Sequence, residues 1–158
     1  MSSLYLLQSF LLLHLIGFML FAGSTVADFV AFRQFWKQYE SDKTKAAAIL
    51  QGMSKFPAVI RIGIITIVLT GVGMMAVTHG AFGEQLWFRI KFGLVVVVIL
   101  NGVLVGRRQG VQLRKIAEEN TPEAVEKAQK IRGNVSLFHT IQFTLFFVIV
   151  LLSVFKFN

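Results

Sequence analysis

The sequence contains no cysteine. That absence excludes a disulfide framework, an iron–sulfur cluster, a thiolate zinc site, a cysteine nucleophile and covalently attached haem of the Cys-x-x-Cys-His type. Charge is scarce: 15% of the 158 residues are charged, against 55% hydrophobic. Proline occurs twice, at Pro57 and Pro122, so long stretches carry no helix breaker. A mean hydropathy of +0.68 is too high for a soluble domain of this length. What is present instead is long apolar sequence. The composition predicts one domain of all-α class, a polytopic membrane protein.

Four runs are long enough to cross a hydrocarbon layer of about 30 Å, which takes about 20 helical residues. They cover 4–32, 57–78, 86–106 and 135–155, and predict a four-transmembrane-helix bundle. Pro57 suits a first helical position. The 4–27 stretch resembles a leader ending Thr25-Val26-Ala27, but no Lys or Arg precedes its apolar run, and the stretch is read as a retained first helix.

The formal charge of +8 would suggest nucleic acid if it were spread over a surface. It is concentrated instead. Residues 33–55 hold Arg33, Lys37, Lys43, Lys45 and Lys55, and residues 107–132 hold seven more basic residues. The 78–85 connection has none. This asymmetry predicts a membrane orientation, with connections 33–56 and 107–134 in the cytoplasm and both termini outside a bacterial inner membrane. No nucleic-acid partner is expected. Thr121-Pro122-Glu123 reads as a helix start and Gly133-Asn134 as a stop or kink before the fourth span. Both long connections are expected to be helical.

Polar residues inside the spans are costly and mark interior faces or headgroup positions. His14, Gly17, Phe21, Thr25 and Asp28 share a face of the first helix, and Arg61, Val68, Met75 and His79 a stripe of the second. Depth along the helices predicts an outer polar layer of His14, Met75, His79, Arg89 and Lys91. An inner layer holds Asp28, Arg61 and His139, with Asp28 and Arg61 expected to pair. His139 and Gln142, one turn apart, are expected to make contacts between helices. Gly71 and Gly73 are expected to permit close helix approach.

Leu13-His14, followed after six residues by Phe21-Ala22-Gly23, resembles the Leu-His … Trp-x-Gly-Gly pattern that opens the copper-resistance D (CopD) family. HemJ-type protoporphyrinogen IX oxidases also begin with a Leu-His helix. Trp87-Phe88-Arg89-Ile90-Lys91-Phe92 is similar to their Trp-x-His-x-Lys-Leu segment, and Thr70-Gly71 to a Thr-Gly pair in CopD-like second helices. The resemblance spans the first three helices. Two features differ: Arg89 stands in place of a histidine, and the Pro-Arg after the first-helix glycine is replaced by Ser24-Thr25-Val26-Ala27-Asp28.

The resemblance implies haem b or a porphyrin near the outer face, held by His14 and Lys91, with Arg89 available to a propionate. If the chain is an enzyme, it implies a haem-dependent membrane oxidoreductase. A second class is a copper-handling membrane protein using Met75, His79 and His14 as soft and imidazole donors. A third is a noncatalytic helical subunit of a larger assembly. Expected partners are membrane lipid, a porphyrin or quinone, and a homo-oligomer or membrane complex.

Overall fold

Apolar runs without an internal proline become continuous helices. The computed structural model describes residues 2–39, 41–81, 83–118 and 122–155. Among these there are six α-helices and no strand: α1 (Ser2–Tyr39), α2 (Lys43–Met53), α3 (Phe56–Val77), α4 (Leu86–Leu100), α5 (Arg107–Glu118) and α6 (Pro122–Phe155). A π-helical segment, Asn101–Gly106, joins α4 to α5. Segments within Ser3–Tyr39, Lys43–Val77, Leu86–Leu104 and Lys127–Phe155 are long and apolar enough to cross a membrane. The protein is an all-α four-helix membrane bundle.

Its polarity is reversed relative to a soluble fold. Met19, Leu69 and Phe147 are 71%, 65% and 65% exposed, whereas Thr25, Thr70, His139 and Gln142 are buried. Lipid supplies the apolar environment outside, so polar side chains find partners inside. α1 packs chiefly on α3, and α4 on α6. Phe21, Val98, Phe146 and Ile149 join the two pairs in a central cluster. The Phe21 and Phe146 rings meet edge to face at 4.9 Å.

The α1–α3 contact is a backbone contact. A Cβ on Gly63 would lie 2.8 Å from both the Gly17 carbonyl oxygen and the Phe21 amide nitrogen. A Cβ on Gly17 would lie 3.1 Å from the Gly63 carbonyl. Only glycine fits such a crossing, as in small-residue interfaces of membrane helices generally. Gly73 plays the same part for a side chain, since the Phe10 ring occupies the space its Cβ would need.

At about 1.5 Å per residue, a 38-residue helix is about 57 Å long and overshoots the bilayer. α1 therefore continues to Tyr39 rather than ending near Phe32, where its apolar run stops. The overshoot is stabilised by a second cluster of Phe32, Phe35 and Trp36 with Ala46 of α2, Leu113 of α5, and Ala128, Ile131 and Val135 of α6. Phe35 is fully buried there, a burial worth about 1.5–3 kcal/mol. This end, which carries α2 and α5, is the basic end of the bundle. Among the described residues both long connections are largely helical, as expected. The stop expected at Gly133-Asn134 is not found, and α6 is continuous. Ile131 and Val135, one turn apart, are both buried in this cluster, and a continuous helix keeps them on one face. α6 begins at Pro122, in keeping with a first-turn proline. The expected Thr121 cap lies outside the described residues.

α2 starts from a built cap. Asp42 accepts from the amides of Thr44 at 3.0 Å and Lys45 at 3.1 Å. The Lys45 amide and then its ammonium hold the Asp42 carboxyl below the usual carboxylate range. A carboxyl lowered on folding stabilises above its ordinary range, at about pH 4, and loses that contribution as pH falls through its folded value. Acidification below about pH 4 should therefore loosen the start of α2 and expose the 41–45 backbone to an acid-active protease. Asp42→Asn, which keeps an acceptor oxygen but no titratable group, should remove that acid dependence.

The crossing gives a second expectation. Gly63→Val should push α1 and α3 apart and lower stability by about 1–3 kcal/mol in thermal unfolding of the detergent-solubilised protein. Gly23→Ala, at a position with nothing within 4 Å, should be tolerated.

Candidate functional site

The glycine crossing sets the level at which α1 and α3 present their polar side chains. One turn before Gly17 is His14, and two turns after Gly63 is Thr70. Their side chains meet: His14 Nδ1 lies 2.9 Å from Thr70 Oγ1. Thr70 has one hydroxyl hydrogen, and its Oγ1 lies 2.6 Å from the Thr66 carbonyl. A carbonyl can only accept, so the threonine hydrogen goes there. Thr70 must then accept from His14. A hydrogen is thereby fixed on Nδ1, and in a neutral ring the lone pair is on Nε2.

The ring is half-buried, and Gly71 flanks it: a Cβ there would meet His14 Cε1 at 3.7 Å. Lys91, half-buried on α4, lies within electrostatic reach of His14. Arg89 is exposed two residues earlier. The structure gives His14 a bonded partner, Thr70, whose role the sequence reading missed. The signal was available, because Gly63 and Thr70 are seven residues apart and share a helix face.

The expected stripe on α3 is corrected. Arg61 and Val68 are exposed, and the inward face is formed by Gly63, Ile67 and Thr70. Small and polar residues, not the charged and branched ones, permit the tight crossing. Met75 packs beneath the short loop, where a Cβ on Gly83 would lie 3.9 Å from its Cε. His79 is exposed and has φ +51°, the left-handed region usually held by glycine. It terminates α3: the His79 amide donates to the Ala76 carbonyl at 3.2 Å, and the Gly80 amide to Met75 at 2.9 Å. That bond pair is a Schellman motif with histidine at the glycine position.

The inner layer is also rearranged. Asp28 bonds His139, with Oδ2 3.2 Å from Nε2, rather than Arg61. Arg61 is exposed and its Nε donates to the Pro57 carbonyl at 3.2 Å. A guanidinium one turn into a span reaches back toward the headgroups more cheaply than it enters the bundle. Gln142, buried beside His139, accepts from Asn101 Nδ2 at 3.0 Å, at the start of the π segment. The expected contacts of His139 and Gln142 between helices are both present. His14 and His139 bond different partners, Thr70 and Asp28, in separate layers. Among the described residues, no group of three or more His, Asp or Glu could hold a metal ion.

Comparisons with protein-family models, with curated proteins and with solved structures find no match for the chain. The arrangement of His14, Thr70 and Lys91 thus has to be read from its own chemistry. That arrangement offers one oriented imidazole nitrogen with a cation nearby, beside a glycine, in the half of the bundle away from the basic end.

The cap at His79 gives a direct expectation. His79→Gly should relieve left-handed strain and raise stability by about 1 kcal/mol, seen as a higher unfolding temperature in detergent. A decrease would show that the side chain makes a contact worth more than the strain.

Proposed function

We infer that this protein is a multi-pass haem protein of the bacterial cytoplasmic membrane, resembling the CopD and HemJ-type families, and acts in membrane redox chemistry or haem metabolism. The observation that supports this reading is the His14–Thr70 hydrogen bond, which puts a hydrogen on Nδ1. An iron ligand must be a neutral imidazole with one nitrogen free, and its other nitrogen is normally fixed by a hydrogen bond. The His14–Thr70 bond supplies the fixed nitrogen, and in a neutral ring Nε2 is the one left to bind iron. Gly71 leaves room beside the ring edge, where a larger side chain would crowd a flat macrocycle.

His14 Nε2 would hold the haem iron, Lys91 would face it from α4, and Arg89 would meet a propionate at headgroup level. A bound haem supplies one-electron redox capacity. The protein contributes an oriented ligand, a low-dielectric surround and a cation. The orientation belongs to the same reading: the basic connections are cytoplasmic, the 78–85 connection and both termini are outside, and the site lies in the outer half.

Protein expressed with ample haem supply and purified in detergent should show a Soret band. His14→Ala should abolish it while the helical signal remains. Thr70→Val removes the hydroxyl that fixes the ring and should weaken haem affinity about 10–100-fold. Lys91→Met should shift the band. A colourless wild type would overturn the reading. Reporter fusions at Asp42 should behave as cytoplasmic and one at Gly80 as external; the reverse pattern would put the site in the opposite half.

A further inference from the structure

His139 is the most enclosed titratable group described, 1% exposed. Four phenylalanines surround it, Phe29, Phe32, Phe138 and Phe143, with ring centroids at 5.3, 5.8, 5.1 and 6.2 Å. Its two nitrogens have different partners. Nδ1 lies 2.9 Å from the Val135 carbonyl, which can only accept, so Nδ1 carries a hydrogen. Nε2 lies 3.2 Å from Asp28 Oδ2. That contact needs exactly one hydrogen, on either atom, because two lone pairs would repel.

Counting therefore gives two hydrogens for ring and carboxyl together. The pair is either imidazolium with carboxylate or imidazole with carboxylic acid. Its net charge is zero in both forms. Losing the shared hydrogen would leave a negative charge beside a cage of aromatic rings, an expensive state in an apolar surround.

The two partners differ in access. The Asp28 side chain is 27% accessible and that of His139 is 1%. Among the described side chains of the surrounding helices, Arg33 of α1 lies over the Phe29 ring, Arg132 of α6 over the Trp36 ring, and Arg61 of α3 on the Pro57 carbonyl. In α2, Lys45 pairs with Asp42. The π segment, which packs Gly106 against Phe138, contains no titratable side chain.

We propose that Asp28 and His139 form a proton-binding site within the membrane domain, with Asp28 as its port and His139 as its sealed acceptor, loaded with one shared proton in the folded state. The site sits in the inner polar layer, toward the basic end. It holds its proton among aromatic rings inside the bundle. The pair shares no residue with the proposed haem site.

The test counts hydrogens on the full chain in lipid nanodiscs. Nitrogen-15 spectra of histidine-labelled protein report the ring, with the His139 signals assigned by their loss in His139→Gln. Infrared spectra report the carboxyl through the difference between wild type and Asp28→Asn. Support takes one of two forms. Either both ring nitrogens are protonated beside an ionised Asp28, or only Nδ1 is protonated and a carboxylic acid C=O band disappears in Asp28→Asn. A singly protonated ring beside an ionised Asp28 overturns the proposal.

The port is tested by transfer into D2O. The shared hydrogen should exchange promptly through Asp28; retention for hours in folded protein would contradict that role. The variants supply an independent measurement. Asp28→Asn can offer Nε2 an amide hydrogen and should keep the wild-type unfolding temperature within a few degrees, whereas Asp28→Leu offers none and should melt clearly lower. An equal loss in both would contradict the hydrogen-bond assignment.

Discussion

Gly17 and Gly63 let the backbones of α1 and α3 touch, and the positions of the polar side chains in that half of the bundle follow from the contact. The helices cannot slide along each other without driving a side chain into a backbone, because Phe21 and Thr66 sit immediately beside the crossing. Register is thereby fixed to within a fraction of a turn. With register fixed, His14 and Thr70 meet two turns from Gly63, and the Thr70 hydroxyl, already committed to Thr66, dictates which imidazole nitrogen carries the hydrogen. A backbone contact between two residues without side chains thus determines the protonation pattern of a third.

The bundle has two polar layers with different logic. In the layer near His14, the bond runs from side chain to a helix hydroxyl through Nδ1 and does not engage Nε2. In the inner layer every strong group is matched: His139 to Val135 and Asp28, Gln142 to Asn101. The first arrangement suits a ligand that arrives later. The second suits a small exchangeable ligand already shared between two partners. Below the inner layer, the aromatic cluster around Phe35 seals the α1 overshoot against α2, α5 and α6, so the basic end is a packed cap rather than loose connections.

Much of this was legible in the sequence. The four spans, the helical connections, the interior face of α1 from His14 to Asp28 and the contacts of His139 and Gln142 between helices follow from hydropathy, periodicity and the cost of polar groups in lipid. Pairing was not legible. Opposite charge and similar depth favour Asp28 with Arg61, but depth says nothing of azimuth, and Arg61 has a cheaper exit toward headgroups. The same reason explains the misplaced stripe on α3, where an angular count finds faces but cannot say which one glycine turns inward. The ends of α1 and the continuity of α6 depend on tertiary burial of Phe35, Ile131 and Val135, which no local signal carries. Nor does any local signal announce the π segment at Asn101–Gly106.

The claim on which the rest depends is that the α1–α3 contact fixes the His14 ring. Nitrogen-15 spectra of the His14 ring in cofactor-free protein measure it directly. The structure predicts one signal set, with hydrogen on Nδ1 and a bare Nε2. Hydrogen on Nε2, or the mixture of tautomers shown by free imidazole, would contradict it.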